Sequence, residues 1–287
     1  MGLMQGCCRF LCNNYAVILS RKKKEFAAAL RPYFTKRYRD FPWRRTRNPY
    51  HILVSEIMLQ QTQATRVVGY YQKFIQEFPD FFSLAKASPV KVLSLWQGLG
   101  YNRRALYLQR CAKMVIHEFG GKLPSTIEEL VKLPGVGENT AGAIAAYAFN
   151  LPALFIETNI RKAVMRHFFL SQDKVSDKHI RDVMREIIDY KNPRRWYLAV
   201  VDYGAQLSRL RTIPNSRSSH HRPPSRFKGS FRQMRGSILR FLLERPRTEE
   251  EITAAFLSRQ NEIPIVLEQL RKEGFVLKSK QFWCVAT

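Results

Sequence analysis

One acidic side chain stands inside an apolar segment of this sequence. Glu56 lies in ILVSEIMLQQTQ, residues 52–63, where apolar residues recur at 50, 53, 54, 57 and 58, the spacing of one helix face. Ile52 and Leu59 flank it on another side, so we expect a helix that is buried on two sides. An unpaired buried carboxylate costs several kcal/mol. Glu56 is therefore expected either to be bonded to a backbone or arginine partner or to serve as an acid in a reaction.

A second segment that could contact a ligand is PSTIEELVKLPGVGENTAGAIAAYAF, residues 124–149. Ser125 and Glu128 predict a capping box for a helix that runs to Lys132, and LPGVG predicts a tight turn into a second helix. Glycine lets the turn approach a partner closely, and the N–H groups that begin the next helix suit a phosphate. This pattern is typical of a helix-hairpin-helix, which grips a DNA backbone; an ordinary helical hairpin is the alternative. The predicted backbone-binding residues are Leu133, Gly135, Val136, Gly137 and Thr140.

Composition favours a nucleic-acid partner. The 287 residues contain 48 Lys and Arg against 23 Asp and Glu, a formal net charge of +25. A basic membrane-surface protein is the rival interpretation, but no basic amphipathic anchor stands out and no run of about 18 apolar residues occurs. We expect a monomer that binds double-stranded DNA rather than a membrane, in the cytoplasm at a bacterial nucleoid.

The chain is predicted to have four parts. Residues 1–21 form a loosely ordered extension or reflect a wrongly assigned start, and 22–211 form a mainly α-helical domain of periodic apolar stretches. Residues 212–229 read as a basic linker, in which His220 and His221 are connector residues rather than metal ligands. Residues 230–287 predict three helices, the second capped by Thr248, and a hairpin: a winged-helix-like domain that binds DNA or mediates domain contacts.

The stretches RDFPWRRTRNPYHILVSEIMLQQTQATRV, LWQGLGYNRRALYL, LPGVGENTAGAI and FIETNIRKAV resemble, in order and spacing, the MutY-type adenine DNA glycosylases. The similarity covers roughly residues 25–210. It implies a two-lobed helix-hairpin-helix glycosylase fold and base excision repair, in which a nucleotide is flipped out and its N-glycosidic bond is cleaved.

Two acids match the family's catalytic positions. Glu56 matches the glutamate that protonates the leaving adenine, which needs an acid because the base otherwise departs as an anion. Glu157, in Glu157-Thr158-Asn159, matches an aspartate that stabilises the oxocarbenium-like sugar. The extra methylene of Glu157 indicates either a compensating backbone shift or another substrate, and Glu157 as a simple N-cap for the helix near Ile160 is the alternative.

The resemblance also assigns base recognition. It places Arg39, Asp202 and Asn139 in the base pocket, with Asp202 accepting from the exocyclic amine of adenine. Asn139 stands where bifunctional relatives carry a Schiff-base lysine, so no lyase activity is expected, although Lys132 and Lys162 lie near in sequence. Gln61 and Tyr101 match the residues that wedge into the base stack. Without the resemblance, Arg39, Asp202, Gln61 and Tyr101 would each be interpreted as packing or surface residues.

Two departures from the family limit what the resemblance implies. The five cysteines have no C-x-x-C spacing and none lies between Gly204 and Pro224, so no metal site and no iron–sulfur cluster is expected, while a monovalent cation at the hairpin is allowed. Where relatives carry the domain that reads 8-oxoguanine, we expect the winged-helix-like segment instead.

Three hypotheses remain open at this point. The first is a monofunctional glycosylase for adenine opposite guanine or 8-oxoguanine. The second is a glycosylase for thymine, uracil or an alkylated purine, which Glu157 motivates. The third is a non-catalytic DNA-binding protein, against which two retained carboxylates argue, since binding a phosphate polymer needs no acids.

Overall fold

The computed structural model describes residues 19–219 and 226–286, so most of the N-terminal extension and both linker histidines lie outside the described residues. The fold is mainly α-helical with a small C-terminal sheet, which confirms the predicted fold class. Within the described ranges, no helix combines the length and the apolar composition that crossing a membrane would need.

The elements follow one another from α1 to α14. In chain order the helices are α1 (19–30), α2 (Pro49–Leu59), α3 (Ala64–Glu77), α4 (Phe81–Lys86), α5 (Pro89–Trp96), α6 (Arg103–Phe119), α7 (Ile127–Leu130), α8 (Glu138–Phe149), α9 (Thr158–Phe168), α10 (Asp177–Ile187), α11 (Pro193–Arg209), α12 (Phe231–Glu244), α13 (Glu249–Ala255) and α14 (Ile263–Lys272). The strands are β1 (Arg247–Thr248), β2 (Val276–Ser279) and β3 (Phe282–Val285), and 3-10 turns occupy Arg31–Phe34, Pro42–Arg44, Asn215–Arg217 and Leu257–Glu262.

Polar caps set where several helices begin. Asn48 accepts from the Tyr50 N–H ahead of α2, with Pro49 in the first helical position. The predicted cap at Thr248 is confirmed as a full capping box with Glu251. The capping box predicted at Ser125 is wrong by one residue: Thr126 caps α7, and the helix ends at Leu130 rather than at Lys132.

The described chain divides into two compact units, each assembled from two separate stretches. The first unit combines residues 1–47 with 137–222, and the second combines 48–136 with 223–287. Residues 226–286, called the C-terminal module below, therefore belong to the same unit as α2–α7. The domain boundaries predicted from the sequence stay predictions.

The first unit is organised by the packing of α11 on α9. Gly204 of α11 lies so close to α9 that a Cβ built on it would be 2.0 Å from the carbonyl oxygen of Asn159. Around this contact lie buried aromatic rings, including Phe155 stacked on Tyr197 with ring centroids 4.2 Å apart. Phe26 of α1 closes the same core. The close contact requires a residue without a side chain at position 204.

The start of the predicted linker packs onto the first unit. Ile213 is buried in that unit's core, and Val175 forms a parallel bridge with Ser218. The guanidinium of Arg217 donates to the carbonyl oxygens of Phe169 and Gln172. Specific contacts with the first unit therefore hold residues 213–219, the first part of the predicted linker.

The second unit is built around α2. Leu53, Val54 and Met58 are completely buried, and the Tyr50 hydroxyl donates to the Phe78 carbonyl at 2.7 Å. Its C-terminal module contains the three predicted helices and the predicted hairpin, with a turn at Lys280 in the left-handed region (φ +54°). A short strand that was not predicted, β1, adds to β3, so the sheet order is β1-β3-β2 with antiparallel pairing.

Replacing Gly204 by alanine should destabilise the protein, because the added methyl meets the backbone of α9, which cannot swing aside as a side chain can. We expect the free energy of unfolding, measured by urea titration, to fall by about 3 kcal/mol. Gly69→Ala is the control: Gly69 lies inside α3 with nothing within 4 Å of the added Cβ. It should raise stability by about 0.5 to 1 kcal/mol. Equal effects of the two substitutions would contradict the packing argument.

Candidate active site

Glu56 lies on the partly accessible side of α2. Seven of its neighbours in the helix are buried: Tyr50, Ile52, Leu53, Val54, Ser55, Ile57 and Met58. The helix is thus buried over most of its circumference, as the apolar pattern predicts, whereas Glu56 itself is only half-buried. Glu56 is thus a partly accessible residue among the buried neighbours of its helix, which suits an acid that must meet a ligand.

The buried guanidinium of Arg104, on α6, holds the end of α2. Arg104 is 7% exposed, and burial lowers its pKa to about 10, so the side chain remains charged at neutral pH. It donates hydrogen bonds of 2.7 to 3.2 Å to the carbonyls of Ile57, Met58, Gln60 and Gly100 and to the hydroxyl of Thr62. Carbonyls at a helix C-terminus lack intrahelical donors and attract cations. One side chain thus fixes both the helix that carries Glu56 and two neighbouring loops.

Those two loops carry the predicted wedge residues. Gln61 and Tyr101 both have left-handed backbones, with φ of +54° and +51°. Non-glycine residues seldom adopt this conformation, and where they do the surrounding structure imposes it. The amide of Gln60 donates to the Gly135 carbonyl at 3.1 Å, which ties the loop of Gln61 to the hairpin turn. The second unit therefore brings together Glu56, both wedge candidates and the turn of the hairpin.

The hairpin turn offers its backbone rather than its side chains. Leu133 and Val136 are 2% and 5% exposed, so their side chains pack inward. Gly135 has φ +82°, and a Cβ on it would lie 3.0 Å from the Tyr107 Cβ, so the position excludes a side chain. Gly137 is exposed and precedes α8 as its N-cap, with Thr140 in the first turn. Phosphate binding by these residues stays a prediction.

In the first unit, Glu157 caps α9. Its carboxylate accepts from the Asn159 and Ile160 N–H groups, both at 3.0 Å, and from the Asn159 side-chain amide at 3.1 Å. Burial raises the pKa of Glu157, while these hydrogen bonds and the charge of Arg39 oppose the shift. The N-cap interpretation is therefore correct as geometry. It does not exclude catalysis, because the cap also fixes the carboxylate in place.

Two residues support the segment around Glu157. The Asn139 side-chain oxygen accepts from the Ile156 N–H at 3.0 Å, which anchors the residue before Glu157. A lysine at position 139 could not accept this bond. The Lys162 ammonium is buried, its pKa is lowered by that burial, and it donates to the Ser208 hydroxyl at 3.0 Å. Asn139 thus has a structural function, and its equivalence to the amine position of lyases stays a prediction.

Asp202 is enclosed by two arginines. Its oxygens accept from the Arg44 guanidinium at 2.8 and 2.9 Å and from the Arg39 backbone N–H at 3.0 Å, and the Arg39 side chain completes the group. The predicted pair of Arg39 and Asp202 is therefore in contact. All the lone-pair positions of this carboxylate are taken, however, so Asp202 can accept from a base only after an arginine withdraws. Its role as an acceptor for the amine stays a prediction.

The sequence motifs did not single out Arg104, Gln60 or Arg44. The first two act through backbone carbonyls, which leave no trace in residue identity. One sequence feature could have indicated that Arg104 is buried. It is a charged residue next to Ala105 and four positions before Leu108, on the apolar side of α6. Arg44 follows Trp43 in the turn that begins at Pro42, and nothing in the local sequence indicates its contact with Asp202.

The cysteines of the described residues do not make up the donor set of an iron–sulfur cluster. Between Gly204 and Pro224 the sequence has no cysteine. Cys111 and Cys284 are the described cysteines, the first buried in α6 and the second on β3, and four thiolates are needed. In the part of the chain that is described, no three His, Cys, Asp or Glu side chains are grouped to hold a metal ion.

Comparisons with known proteins define the class. Residues 54–189 match the family model for HhH-GPD superfamily base excision DNA repair proteins. A thermostable thymine-DNA glycosylase is similar in structure, with 28% identity and a TM-score of 0.58 over 65% of this chain and 87% of that one. A trapped endonuclease III–DNA intermediate, at 20% identity and a TM-score of 0.51, shares the fold over 67% of this chain and 83% of that one.

Curated relatives narrow the class to one family. The adenine DNA glycosylase of Mycobacterium tuberculosis is 32% identical over 86% of this chain and 88% of its own length. That of Buchnera aphidicola is 37% identical over 57% of this chain and 47% of its own, and that of Mus musculus is 33% identical over 78% and 45%. The chain thus spans about half the length of the latter two. It belongs to the adenine DNA glycosylase family.

Arg104→Lys should weaken the second unit, because an ammonium keeps the charge but cannot bridge the end of α2 and both loops as a guanidinium does. We expect the free energy of unfolding to fall by about 2 to 3 kcal/mol. Arg110→Lys, the same change at an exposed position of α6, should alter it by less than about 0.5 kcal/mol. If urea titration gives both variants wild-type stability, the carbonyl cluster does not depend on Arg104.

Proposed function

We propose that this chain is a monofunctional DNA glycosylase that hydrolyses the N-glycosidic bond of adenine mispaired with guanine or 8-oxoguanine. The observation that carries the proposal is the position of Glu56 on the accessible side of a buried helix, beside the two left-handed loops. The relatives named adenine DNA glycosylase supply the substrate class. The net charge of +25 supports DNA as the partner. We propose that the protein binds DNA as a monomer.

In the proposed reaction, Glu56 donates a proton to the leaving adenine, so that the base departs neutral when the bond to C1′ breaks. The sugar then carries oxocarbenium charge, which an ionised carboxylate can stabilise. Glu157 suits this task because three hydrogen bonds keep its carboxylate oriented, and they oppose the rise in its pKa that burial causes. Water then adds at C1′, and the proton that it loses goes to solvent or to Glu56.

A second candidate substrate is a base with a carbonyl in place of the adenine amine, such as thymine. Three observations favour keeping it: Asp202 is saturated by Arg39 and Arg44, Glu157 replaces the family aspartate, and a thymine-DNA glycosylase is among the similar structures. If the arginines remain in place, the pocket presents donors, which suit a carbonyl.

Duplexes that each carry one mispair will separate the two candidates. We expect base release from adenine opposite guanine or 8-oxoguanine, and Glu56→Gln should abolish it while leaving duplex affinity within about threefold, because the change removes a proton and little shape. Glu118→Gln, an exposed glutamate of α6, is the control and should keep wild-type turnover. Release of thymine instead would support the second candidate, and a Glu56→Gln variant with wild-type turnover would remove Glu56 from the mechanism.

The protein should not cleave the abasic strand, because Asn139 offers no amine and Lys162 donates to Ser208. Borohydride added during turnover should therefore trap no covalent protein–DNA adduct, and strand breaks should appear only after alkali. Should an adduct form and disappear in Lys162→Gln, then Lys162 is the nucleophile and the protein is a lyase.

A further inference from the structure

The C-terminal module reaches the loop that carries Tyr101. Arg232, in the first turn of α12, donates from its guanidinium to the Tyr101 hydroxyl at 2.6 Å. The central carbon of the same guanidinium lies 5.0 Å from the centroid of the Tyr101 ring and 5.3 Å from that of Phe227. Arg232 is thus stacked between two aromatic rings, a geometry in which a planar cation binds well.

The loop that Arg232 contacts has an unusual backbone. Gly98, Gly100 and Tyr101 all have positive φ, of +98°, +77° and +51°. Tyrosine in this region is disfavoured, so the loop depends on outside contacts to hold its shape. The Tyr101 ring is 38% exposed, and its inner neighbour is the guanidinium of Arg104, 5.7 Å from the centroid. Arg232 is therefore the contact that fixes the exposed part of the ring.

A second contact fastens the module beside the same loop. Glu273, which follows α14, accepts from Arg103 at 2.7 Å and from Arg235 of α12. Although burial alone would raise the pKa of Glu273, its two arginine partners hold the pKa below the usual value, so the carboxylate is charged at neutral pH. Arg103 begins α6 two residues after Tyr101. The module is thus anchored on the helix that the loop enters.

The other cations of the module are engaged differently. Arg271 and Lys272 of α14 both pair with Glu268, and Lys278 lies 3.7 Å from Glu249. These are exposed pairs whose partners lie within the module itself. Arg232 instead contacts a residue outside the module, on a loop of α2–α7 that is a candidate for contact with DNA.

We propose that the C-terminal module positions Tyr101, with Arg232 as the positioning residue, so that the ring is fixed before it enters the base stack. The inference rests on the proposed function, in which Tyr101 fills space vacated by a flipped nucleotide. A ring held in place loses less freedom on insertion than a mobile one, so fixing it favours the flipped state. Phosphate binding by Arg232, or direct reading of the opposite base, are the competing roles.

The test is a double-substitution cycle with two readouts, single-turnover base release at saturating enzyme and 2-aminopurine fluorescence as a probe of flipping. Arg232→Ala should lower both by about tenfold. In a Tyr101→Ala background it should change them by less than twofold, because its effect passes through the ring. Arg240→Ala removes the same charge from an exposed position of α12 and should stay within twofold of wild type.

Two further variants separate positioning from charge. Arg232→Lys keeps the charge but not the planar fork, so it should lose nearly as much as Arg232→Ala, whereas a phosphate contact would be rescued. Tyr101→Phe retains the ring and removes the hydroxyl, and should lose about threefold without affecting the fold. If Arg232→Ala lowers the thermal stability of the protein, Tyr101→Phe still tests the contact.

Three results would overturn the inference: additive effects in the cycle, rescue by lysine, or an Arg232 effect that persists without Tyr101 and depends on the opposite base. The last would make Arg232 a base reader. If wild-type protein neither releases nor flips a base in any duplex, the proposed function fails and the inference with it. If wild type flips bases and Arg232→Ala flips them equally well, only the inference fails.

Discussion

The buried guanidinium of Arg104 is the interaction on which the candidate site of the second unit depends. A helix that ends inside a protein leaves carbonyl oxygens without donors, and a short turn cannot supply them. Arg104 supplies them at the end of α2 and reaches Gly100 in the neighbouring loop with the same side chain. The position of Glu56 and the shapes of the loops that carry Gln61 and Tyr101 are therefore coupled through one residue that lies too deep to meet a substrate.

The first unit uses a different constraint, the close contact of α11 with α9 at Gly204. Because the two backbones touch there, Ser208 of α11 comes within hydrogen-bonding distance of Lys162. The N-terminus of α9, which Glu157 caps, is thereby held against α11, which carries Asp202. The close contact at Gly204 and the cap on α9 together fix the position of the Glu157 carboxylate, whose pKa burial raises.

The C-terminal module adds contacts to the second unit. Its composition suggested a DNA-binding appendage, but its α12 and Glu273 contact α6 and the loop of Tyr101. A basic side chain can bind a DNA phosphate or form a contact inside the protein. A side chain that already has a partner in the protein is less available to a phosphate. Here Arg232 and Arg235 have internal partners, so the module supports a loop of α2–α7 as part of one compact unit.

The sequence by itself determined the helical fold, the elements of the C-terminal module and the family, because apolar periodicity, caps such as Thr248 and motifs such as LPGVGENTAGAI are local patterns. The N-cap at Glu157, the alternative that the sequence left open, is present in the structure, because capping involves neighbours in sequence. Tertiary structure alone decided that Glu56 is half-buried, that Arg104 gathers carbonyls from two loops, and that Arg44 occupies Asp202. The bonds from Arg104 to Ile57, Met58 and Gln60 join residues 44 to 47 positions apart, and the bond from Arg44 to Asp202 joins residues 158 positions apart, whereas Gly100 lies four positions before Arg104. Sequence spacing does not predict the distant contacts of Arg104, because every residue has a backbone carbonyl and the residue type of the acceptor therefore carries no information.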